Sequence, residues 1–227
     1  IKTAEELKLP FFILGGGSNL LVRDNNYNGL VIKILLSKSY FLNSKIIAEA
    51  GMRLGDLVNA SVEKSLTGLE WAAGIPGTIG GAVRGNAGAF GKSMKDVVER
   101  VEVFDIKSKK IKFFRNEDCR LIYRGSVFKK NKNLIILAVE INFKKIKKEK
   151  IKNKIKRYLD YKRKTQPLNF PSAGSVFQNP SKSTVGGKGS SSSSFAAARL
   201  IEECGLKGKK IGNAEISEKH ANFIVNL

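Results

Sequence analysis

Three consecutive glycines followed by a serine and an asparagine form the clearest chemical signal in this sequence. This segment, the Gly15 loop (Gly15–Asn19), follows an apolar run, Phe11–Leu14, that predicts a strand. Consecutive glycines let main-chain N–H groups turn toward one point and let a ligand approach without a Cβ atom in the way. Ser18 and Asn19 add polar side chains. The loop therefore predicts contact with a phosphate or pyrophosphate, and an ordinary tight turn is the alternative interpretation.

A second glycine-dense region has two parts, the Gly74 loop (Gly74–Gly81) and the Asn86 loop (Asn86–Gly91), and we expect residues 74–91 to be mostly loop. Two such regions suit a long ligand with an extended pyrophosphate, such as a flavin dinucleotide, or else two elaborate hairpin turns. A Rossmann dinucleotide site is excluded, because Leu20–Val22 continues as a strand where a helix should begin. A P-loop is excluded as well, because Asn86 stands where that motif needs its first glycine.

The net charge of +21, from 41 basic and 20 acidic residues, is the feature that first suggests nucleic acid. Residues 144–164 alone hold twelve Lys or Arg and two acids. Lysine outnumbers arginine 31 to 10, whereas specific DNA contact favours arginine. Ile151, Ile155 and Leu159 recur at helical spacing, which predicts an amphipathic helix at about 147–163 with a solvated lysine face. Binding of an anionic small molecule or of nucleic acid stays open as the alternative.

Composition excludes several other classes of protein. A hydrophobic fraction of 42% argues against disorder, and no apolar run approaches the roughly 20 residues that a membrane span needs. Cys119 and Cys204 are too few for a disulfide framework, and we expect both to be reduced. His220 is the single histidine, so we expect no zinc site and no other metal. These features predict a cytoplasmic protein.

The order of the elements predicts two domains. Residues 1–143 alternate short apolar runs with glycine-rich turns, residues 144–164 form a basic helical linker, and residues 165–227 form a smaller second domain. Within that second domain, residues 181–194 are a serine- and glycine-rich stretch of low complexity, for which we predict a mobile loop. Because the chain starts without methionine and stops directly after a strand-like segment, we expect it to be a fragment that lacks both ends.

Nine segments, found in one order, carry a resemblance to a known family. They are Leu14–Leu21, Gly74–Gly81, Asn86–Gly91, Tyr123–Phe128, Arg163–Pro167, Pro171–Pro180, Ala198–Glu202, Gly205–Gly208 and Ser217–Phe223. Through them nearly the whole chain resembles the UDP-N-acetylenolpyruvoylglucosamine reductases, in their more compact type. The resemblance implies an α+β fold, with a FAD-binding domain of the PCMH/vanillyl-alcohol-oxidase type followed by a smaller α+β substrate-binding domain.

The activity that the resemblance implies is reduction of UDP-N-acetylglucosamine enolpyruvate to UDP-N-acetylmuramate, in peptidoglycan precursor synthesis. NADPH gives hydride to FAD, and the reduced flavin passes it to the carbon beta to the substrate carboxylate. Negative charge then builds toward the alpha carbon and the carboxylate, so a cation and an acid are needed there. We expect no nucleic-acid or membrane partner, and a monomer. The alternatives are another flavoprotein oxidoreductase of the same fold group and a basic nucleic-acid-binding protein.

The resemblance also assigns roles to residues. Arg124 holds the substrate carboxylate, since its planar fork meets both oxygens, and Ser175 donates the proton to the alpha carbon. The residues expected to bind FAD are Gly15, Gly16, Gly17, Ser18, Asn19, Leu20, Gly74, Pro76, Gly77, Thr78, Gly81, Asn86, Gly88 and Ala89. The residues expected to contact substrate are Tyr123, Arg163, Gln178 and Asn179. Gln178 departs from the lysine that many members of the family carry, which keeps a donor but removes a charge.

Three further expectations concern residues outside this set. We expect His220 to make a structural hydrogen bond and Trp71 to pack beneath the Gly74 loop. The family has an essential glutamate in a tail beyond the segment that matches residues 221–226, and this sequence stops at Leu227. We therefore expect the 227-residue piece, made alone, to reduce substrate poorly or not at all.

Overall fold

The computed structural model describes residues 1–180 and 196–227, so the low-complexity stretch at 181–194 lies outside the described residues. The described chain divides into two compact units. The first consists of Ile1–Ser18 and Val22–Leu159, and the second of Asn19–Leu21 and Asp160–Leu227. Each unit combines helices and sheet, which confirms the predicted α+β class. The domain limits drawn from the sequence stay a prediction.

A five-stranded antiparallel sheet forms the centre of the first unit. Its strands, in spatial order, are β3 (Ser39–Leu42), β4 (Lys45–Glu49), β10 (Leu134–Asn142), β8 (Val98–Asp105) and β9 (Lys110–Arg115). The middle strands present buried apolar side chains to the helices, among them Ile46, Val101 and Val139. Because side chains alternate along a strand, this gives one buried face and explains the alternating pattern of β8.

Short strand pairs support the loops of the first unit. A parallel pair, β1 (Phe11–Leu14) and β2 (Leu30–Lys33), leads directly into the Gly15 loop. The other two pairs are antiparallel: β5 (Leu66–Thr67) with β11 (Lys144–Lys145), and β6 (Gly88–Ala89) with β7 (Lys92–Ser93). The Asn86 loop is thus folded back as a hairpin.

The helices of the first unit pack beside these sheets. They are α1 (Lys2–Glu6), α2 (Leu54–Glu63), α3 (Ile79–Arg84) and α4 (Val127–Lys130), with 3₁₀ turns at Glu70–Ala72 and Met94–Asp96. The expectation that residues 74–91 are mostly loop is wrong where α3 forms. The hydroxyl of Thr78 accepts a hydrogen bond from Gly81 N–H and begins the helix, and burial of Ile79 and Val83 stabilises it. The high glycine content hid this helix.

The predicted basic helix is confirmed as α5 (Lys148–Thr165). Its buried stripe begins at Ile151, and its lysine face is largely exposed. No helix among residues 1–180 and 196–227 combines the length and apolarity that a membrane span requires.

A four-stranded antiparallel sheet forms most of the second unit. Its strands, in spatial order, are β12 (Ser172–Ser175), β15 (Phe223–Asn226), β14 (Ala214–Ile216) and β13 (Lys210–Ile211). The helix α6 (Ala197–Glu203) belongs to the same unit. The edge strand β12 ends at Ser175, the residue for which the sequence predicts proton donation.

Candidate active site

The Gly15 loop and the Gly74 loop lie directly against each other. A Cβ atom added at Gly16 would lie 2.9 Å from the Cα atom of Gly77, closer than real Cβ contacts allow. A Cβ atom at Gly15 would lie 2.7 Å from the hydroxyl oxygen of Thr78, and one at Gly77 would lie 2.8 Å from that of Ser18. The two loops predicted to bind pyrophosphate thus form one cradle, in which missing side chains let the two main chains approach.

The hydrogen-bond donors at the start of α3 are already occupied. The N–H groups of Ile79, Gly80 and Gly81 at the start of α3 donate to Met52 O, Ala50 O and the Thr78 hydroxyl. By contrast, the main-chain N–H groups of residues 16–18 donate to no acceptor within the described part of the chain. The Gly15 loop therefore fits the phosphates of FAD with its main chain, and the Gly74 loop closes the other side.

The Asn86 loop is tied to the turn that carries Arg124. The side-chain amide of Asn86 donates to Ile122 O over 2.8 Å and accepts from Lys95 N–H over 3.0 Å. The guanidinium of Arg124 donates to Gly88 O over 3.4 Å. Two contacts therefore fix the predicted carboxylate-binding cation against a segment predicted to bind flavin.

Arg124 occupies a strained position in a tight turn. Ile122 and Gly125 exchange two main-chain hydrogen bonds of 3.1 Å, and Arg124 between them has φ +53°. A residue with a Cβ atom disfavours this left-handed region, at a cost of about 1–2 kcal/mol. Lys129 donates to Arg124 O over 2.9 Å. The turn therefore holds the half-buried guanidinium at one place despite the strain.

Tyr123 and Ser126 complete this turn. The guanidinium of Arg124 lies 5.5 Å from the centroid of the Tyr123 ring. The buried hydroxyl of Ser126 donates to Arg84 O over 2.6 Å and accepts from Lys129 N–H over 3.2 Å, where it begins α4. Because Arg84 lies in the last turn of α3, these contacts join the Arg124 turn to the helix that follows the Gly74 loop.

In the second unit, Ser175 ends the edge strand β12 beside an irregularity. Ser172 pairs with Val225 and Ser175 pairs with Phe223, so the register shifts between them, where Gly174 has φ +81°. Ser175 is exposed, and no basic side chain of the described residues hydrogen-bonds to its hydroxyl. A serine nucleophile requires an adjacent base, so this arrangement favours a proton donor over a nucleophile.

The predicted substrate contacts Arg163, Gln178 and Asn179 also lie in the second unit. The guanidinium of Arg163 pairs with Asp160 over 3.1 Å. The side-chain oxygen of Asn179 accepts from Ala197 N–H over 3.0 Å, at the start of α6. Gln178, directly before Asn179, is exposed. Asn179 therefore has a structural role that the sequence did not indicate.

Two family models and several relatives match the sequence of this chain. The model described as FAD binding domain matches residues 1–113, and the model described as UDP-N-acetylenolpyruvoylglucosamine reductase, C-terminal domain, matches residues 166–227. The UDP-N-acetylenolpyruvoylglucosamine reductase of Caldanaerobacter subterraneus subsp. tengcongensis is 42% identical over 220 residues, which are 96% of this chain and 68% of that protein. The enzyme of the same name from Alkaliphilus oremlandii is 42% identical over 100% of this chain and 71% of its own length.

The chain belongs to the UDP-N-acetylenolpyruvoylglucosamine reductase family. A crystal structure of the reductase from Thermus caldophilus agrees, with a TM-score of 0.82 and 36% identity over 100% of this chain and 78% of that chain. This confirms the family resemblance carried by the nine segments. The chain spans 68% to 71% of the length of the two curated relatives.

The reductase site residues predicted from the sequence fall into two groups. Those in the first unit are Gly15, Gly16, Gly17, Ser18, Gly74, Pro76, Gly77, Thr78, Gly81, Asn86, Gly88, Ala89, Tyr123 and Arg124. Those in the second unit are Asn19, Leu20, Arg163, Ser175, Gln178 and Asn179. Their individual roles stay predictions. Within residues 1–180 and 196–227, no three His, Cys, Asp or Glu side chains come together as a metal site would require.

Trp71 and His220 have structural contacts. Trp71 is buried directly before the Gly74 loop, and its indole N–H donates to Gly68 O over 2.9 Å. Nδ1 of His220 accepts from Asn222 N–H over 3.3 Å, in agreement with the structural role predicted for it. Burial lowers the pKa of His220, which favours the neutral ring that this hydrogen bond requires.

Lys162 is a buried cation on α5. It is only 5% exposed, and burial lowers its pKa from 10.5 to about 8. It continues the buried stripe of α5 at the spacing of Ile151, Ile155 and Tyr158. From the sequence, Lys162 and its neighbour Arg163 are basic residues that could meet a diphosphate, but the sequence did not predict that Lys162 is buried.

Glu70 is a second buried ionisable residue that no sequence motif indicated. Its carboxylate accepts hydrogen bonds from the Thr67 hydroxyl and from Gly68 N–H, and lies 3.8 Å from the ammonium of Lys154. Burial alone would raise the pKa of Glu70, but these hydrogen bonds and Lys154 outweigh it, so the pKa is lowered. Glu70 therefore connects α5 to the 3₁₀ turn that leads into the Gly74 loop.

The Glu70→Gln variant should lose about 1–3 kcal/mol of unfolding free energy at neutral pH, because glutamine cannot accept both hydrogen bonds as a carboxylate does. A carboxylate whose folded pKa is lowered contributes stability above its ordinary pKa, and loses it as pH falls through the lowered pKa. The difference from wild type should therefore shrink on acidification. Urea unfolding at pH 7 and at about pH 4 measures this. Glu117→Gln, at an exposed glutamate, is the control and should change little; a difference that grows in acid would contradict the assignment.

The Gly16→Ala variant should bind FAD at least about tenfold more weakly, because the new Cβ atom forces the two glycine loops apart at a main-chain contact and overpacking costs about 1–3 kcal/mol. Titration of apoprotein with FAD measures the affinity. Gly55→Ala in α2 is the matched control, since a Cβ atom there meets nothing within 4 Å. That control should bind FAD normally and be slightly more stable. Equal FAD affinity in both variants would exclude the cradle as the flavin site.

Proposed function

We propose that this protein reduces the enolpyruvyl double bond of UDP-N-acetylglucosamine enolpyruvate, giving UDP-N-acetylmuramate, with FAD as bound cofactor and NADPH as reductant. The observation that carries the proposal is the contact of Arg124 with Gly88, which fixes a cation against a flavin-binding segment. A cation at that place suits a substrate carboxylate that gains charge while it is reduced. The names of the relatives point to the same substrate.

The cradle fits FAD in its shape and in its polar groups. Main-chain N–H groups of residues 16–18 have no acceptor among the described residues, and the Gly74 loop packs within main-chain distance. Phosphate oxygens are suitable acceptors for such N–H groups. FAD, when bound, supplies the hydride that the substrate receives. The protein supplies the binding, the orientation and the charge.

Arg124 provides electrostatic stabilisation in this proposal. Reduction at the beta carbon moves an electron pair toward the alpha carbon and the carboxylate. A guanidinium held by Gly88 and by its own turn needs no rearrangement when that charge appears, which is the condition for effective transition-state stabilisation. The planar fork also orients the carboxylate.

Ser175 provides the proton in this proposal. A serine hydroxyl is a weak acid, so it donates only to a strongly basic centre such as the alpha carbon at this stage. The proton goes from the hydroxyl to that carbon, and solvent later restores it. Gly174, with no side chain beside Ser175, leaves room for a close approach.

The finer parts of the proposal follow from the same assignment. Residues 1–143 bind FAD, residues 165–227 bind the nucleotide sugar, and the basic segment 144–164 links them. Tyr123, Arg163, Gln178 and Asn179 contact the substrate, and a glutamine at 178 provides a donor rather than a charge to the diphosphate. We also propose that the protein works in the cytoplasm as a monomer, where NADPH and nucleotide sugars are available.

Purified full-length protein tests the function directly. It should show the visible absorbance of oxidised flavin, and NADPH should bleach it. NADPH consumption should depend on UDP-N-acetylglucosamine enolpyruvate, and the product should be heavier by two hydrogen atoms. A yellow protein that does not reduce this substrate but oxidises alcohols or hydroxy acids would overturn the proposal. Another flavoprotein reaction would then be the function.

A further inference from the structure

One buried amide holds the segment that follows Ser175. The side-chain oxygen of Asn222 accepts from Phe177 N–H over 2.8 Å, and its side-chain nitrogen donates to Phe177 O over 2.8 Å. The main-chain oxygen of Asn222 accepts from Val176 N–H over 2.9 Å. A single residue thus binds three main-chain polar groups of two adjacent residues, and its side chain pairs with Phe177 as a neighbouring strand would.

Nothing else in the described structure holds these two residues as firmly. The side chains of Val176 and Phe177 are 47% and 58% exposed, so burial of their apolar surface contributes little. The strand β12 has already ended at Ser175. Hydrogen bonds to Asn222 therefore determine where the main chain runs after Ser175.

Asn222 is itself fixed. It is only 4% exposed, and its N–H donates to Nδ1 of His220 over 3.3 Å. Phe223, the next residue, begins β15 and lies opposite Ser175 in the sheet. The amide therefore sits on a rigid strand end and has few other rotamers available.

We propose that Asn222 is a positioning residue for the substrate reduction step. It fixes the distance and direction between Ser175, which donates the proton, and Gln178, which contacts the diphosphate. These two residues flank the dipeptide that Asn222 binds. The inference rests on the proposed function, because only that reaction gives roles to Ser175 and Gln178.

The position of Asn222 predicts an effect on chemistry that is larger than its effect on stability. When the side-chain amide is removed, the main-chain polar groups of the exposed Phe177 can bind water instead, which limits the loss of stability. The proton donor and the diphosphate contact then move independently. A misplacement of about 1 Å in an active site can lower a rate roughly 100-fold.

Full-length FAD-loaded protein carrying Asn222→Ala is the first variant to test. We expect NADPH to reduce its flavin at the wild-type rate, and substrate to reoxidise the reduced flavin roughly 100-fold more slowly, in single-turnover measurements. Amide hydrogen exchange of a peptide covering residues 176–177 should become faster. Asn226→Ala, at an exposed asparagine on β15, is the matched control and should match wild type in all three measurements.

A second variant separates positioning from folding. Asn222→Asp has nearly the same size and can still accept from Phe177 N–H, but it places an oxygen against Phe177 O. It should show the same selective slowing of substrate reduction. This variant therefore still tests the inference if the alanine variant fails to fold. Equal slowing of both half-reactions would mean a merely structural role, and unchanged substrate reduction would mean no role; either result overturns the inference.

Failure of the proposed function would have a different signature. In that case the wild-type protein itself would not transfer hydride to UDP-N-acetylglucosamine enolpyruvate. Hydrogen exchange still tests whether Asn222 holds residues 176–177, because this measurement needs no substrate. Protected amides at 176–177 in wild type and faster exchange in the variants support that role. Fast exchange of these amides in wild type would overturn it.

Discussion

Replacing Ser175 by alanine should lower the rate of substrate reduction roughly 10²–10⁴-fold and leave flavin reduction by NADPH unchanged. The reason is that, in the proposed mechanism, Ser175 acts only after hydride has reached the substrate, when the alpha carbon needs a proton. The hydroxyl is exposed at the end of β12, so its removal should leave the second unit folded. Rapid-mixing spectroscopy follows both half-reactions in one experiment.

Two comparisons make this result specific. Ser44→Ala removes the hydroxyl of another exposed serine and should behave as wild type in both half-reactions. Ser175→Cys restores a donor at the same place and should recover part of the activity, since a thiol is a stronger acid than a serine hydroxyl. If flavin reduction were the step that failed in Ser175→Ala, Ser175 would not be the proton donor.

Replacing Arg124 by glycine should lower substrate reduction by roughly 10²–10³-fold and at the same time keep or raise the stability of the protein. Arg124 has φ +53°, a conformation that glycine adopts without strain. The substitution therefore relieves strain in the turn and removes the cation proposed to bind the substrate carboxylate. Steady-state rates and thermal unfolding of the same preparation measure the two effects.

The matched control for this variant lies four residues away. Arg120 is exposed and has φ +47°, so Arg120→Gly relieves a similar strain without touching the proposed site. It should be as active as wild type. Arg124→Lys should recover only a small part of the lost activity, because an ammonium keeps the charge but lacks the two-point fork. Full activity in Arg124→Gly would show that the carboxylate binds elsewhere.

Stability and function are therefore expected to oppose each other at Arg124. The left-handed backbone conformation of Arg124 is locally unfavourable, because arginine has a Cβ atom. Strain of this kind is retained where the surrounding structure fixes it, here through the Ile122–Gly125 hydrogen bonds and Lys129. At Glu70 the opposite holds, because its buried carboxylate stabilises the protein through three contacts.

Much of the candidate site could be predicted from the sequence because its signals are local. The Gly15 and Gly74 loops are rich in glycine, and the positions without a side chain can be read directly from the sequence. The amphipathic helix α5 was predicted within two residues at either end, since its apolar spacing is local too. The nine segments, found in one order along the chain, were sufficient to indicate the family.

The remaining features depend on residues that are distant in the chain. The α3 helix was missed because local glycine content favours a loop, whereas Thr78 and the burial of Ile79 and Val83 favour a helix. Asn222 was not singled out, because its partner Phe177 lies 45 residues earlier. The burial of Lys162 within the basic helix was not predicted, because it depends on packing against other elements.

The sequence by itself determined which residue types are available: glycines that permit close approach, one arginine and one serine in their motifs, and a surplus of lysine. The tertiary structure decided which of them meet. It placed Gly16 against Gly77, Arg124 against Gly88 and Asn222 against Phe177. The physical reason is that spacing along the chain sets only local conformation, whereas sheet pairing and burial bring distant main-chain groups within hydrogen-bonding distance.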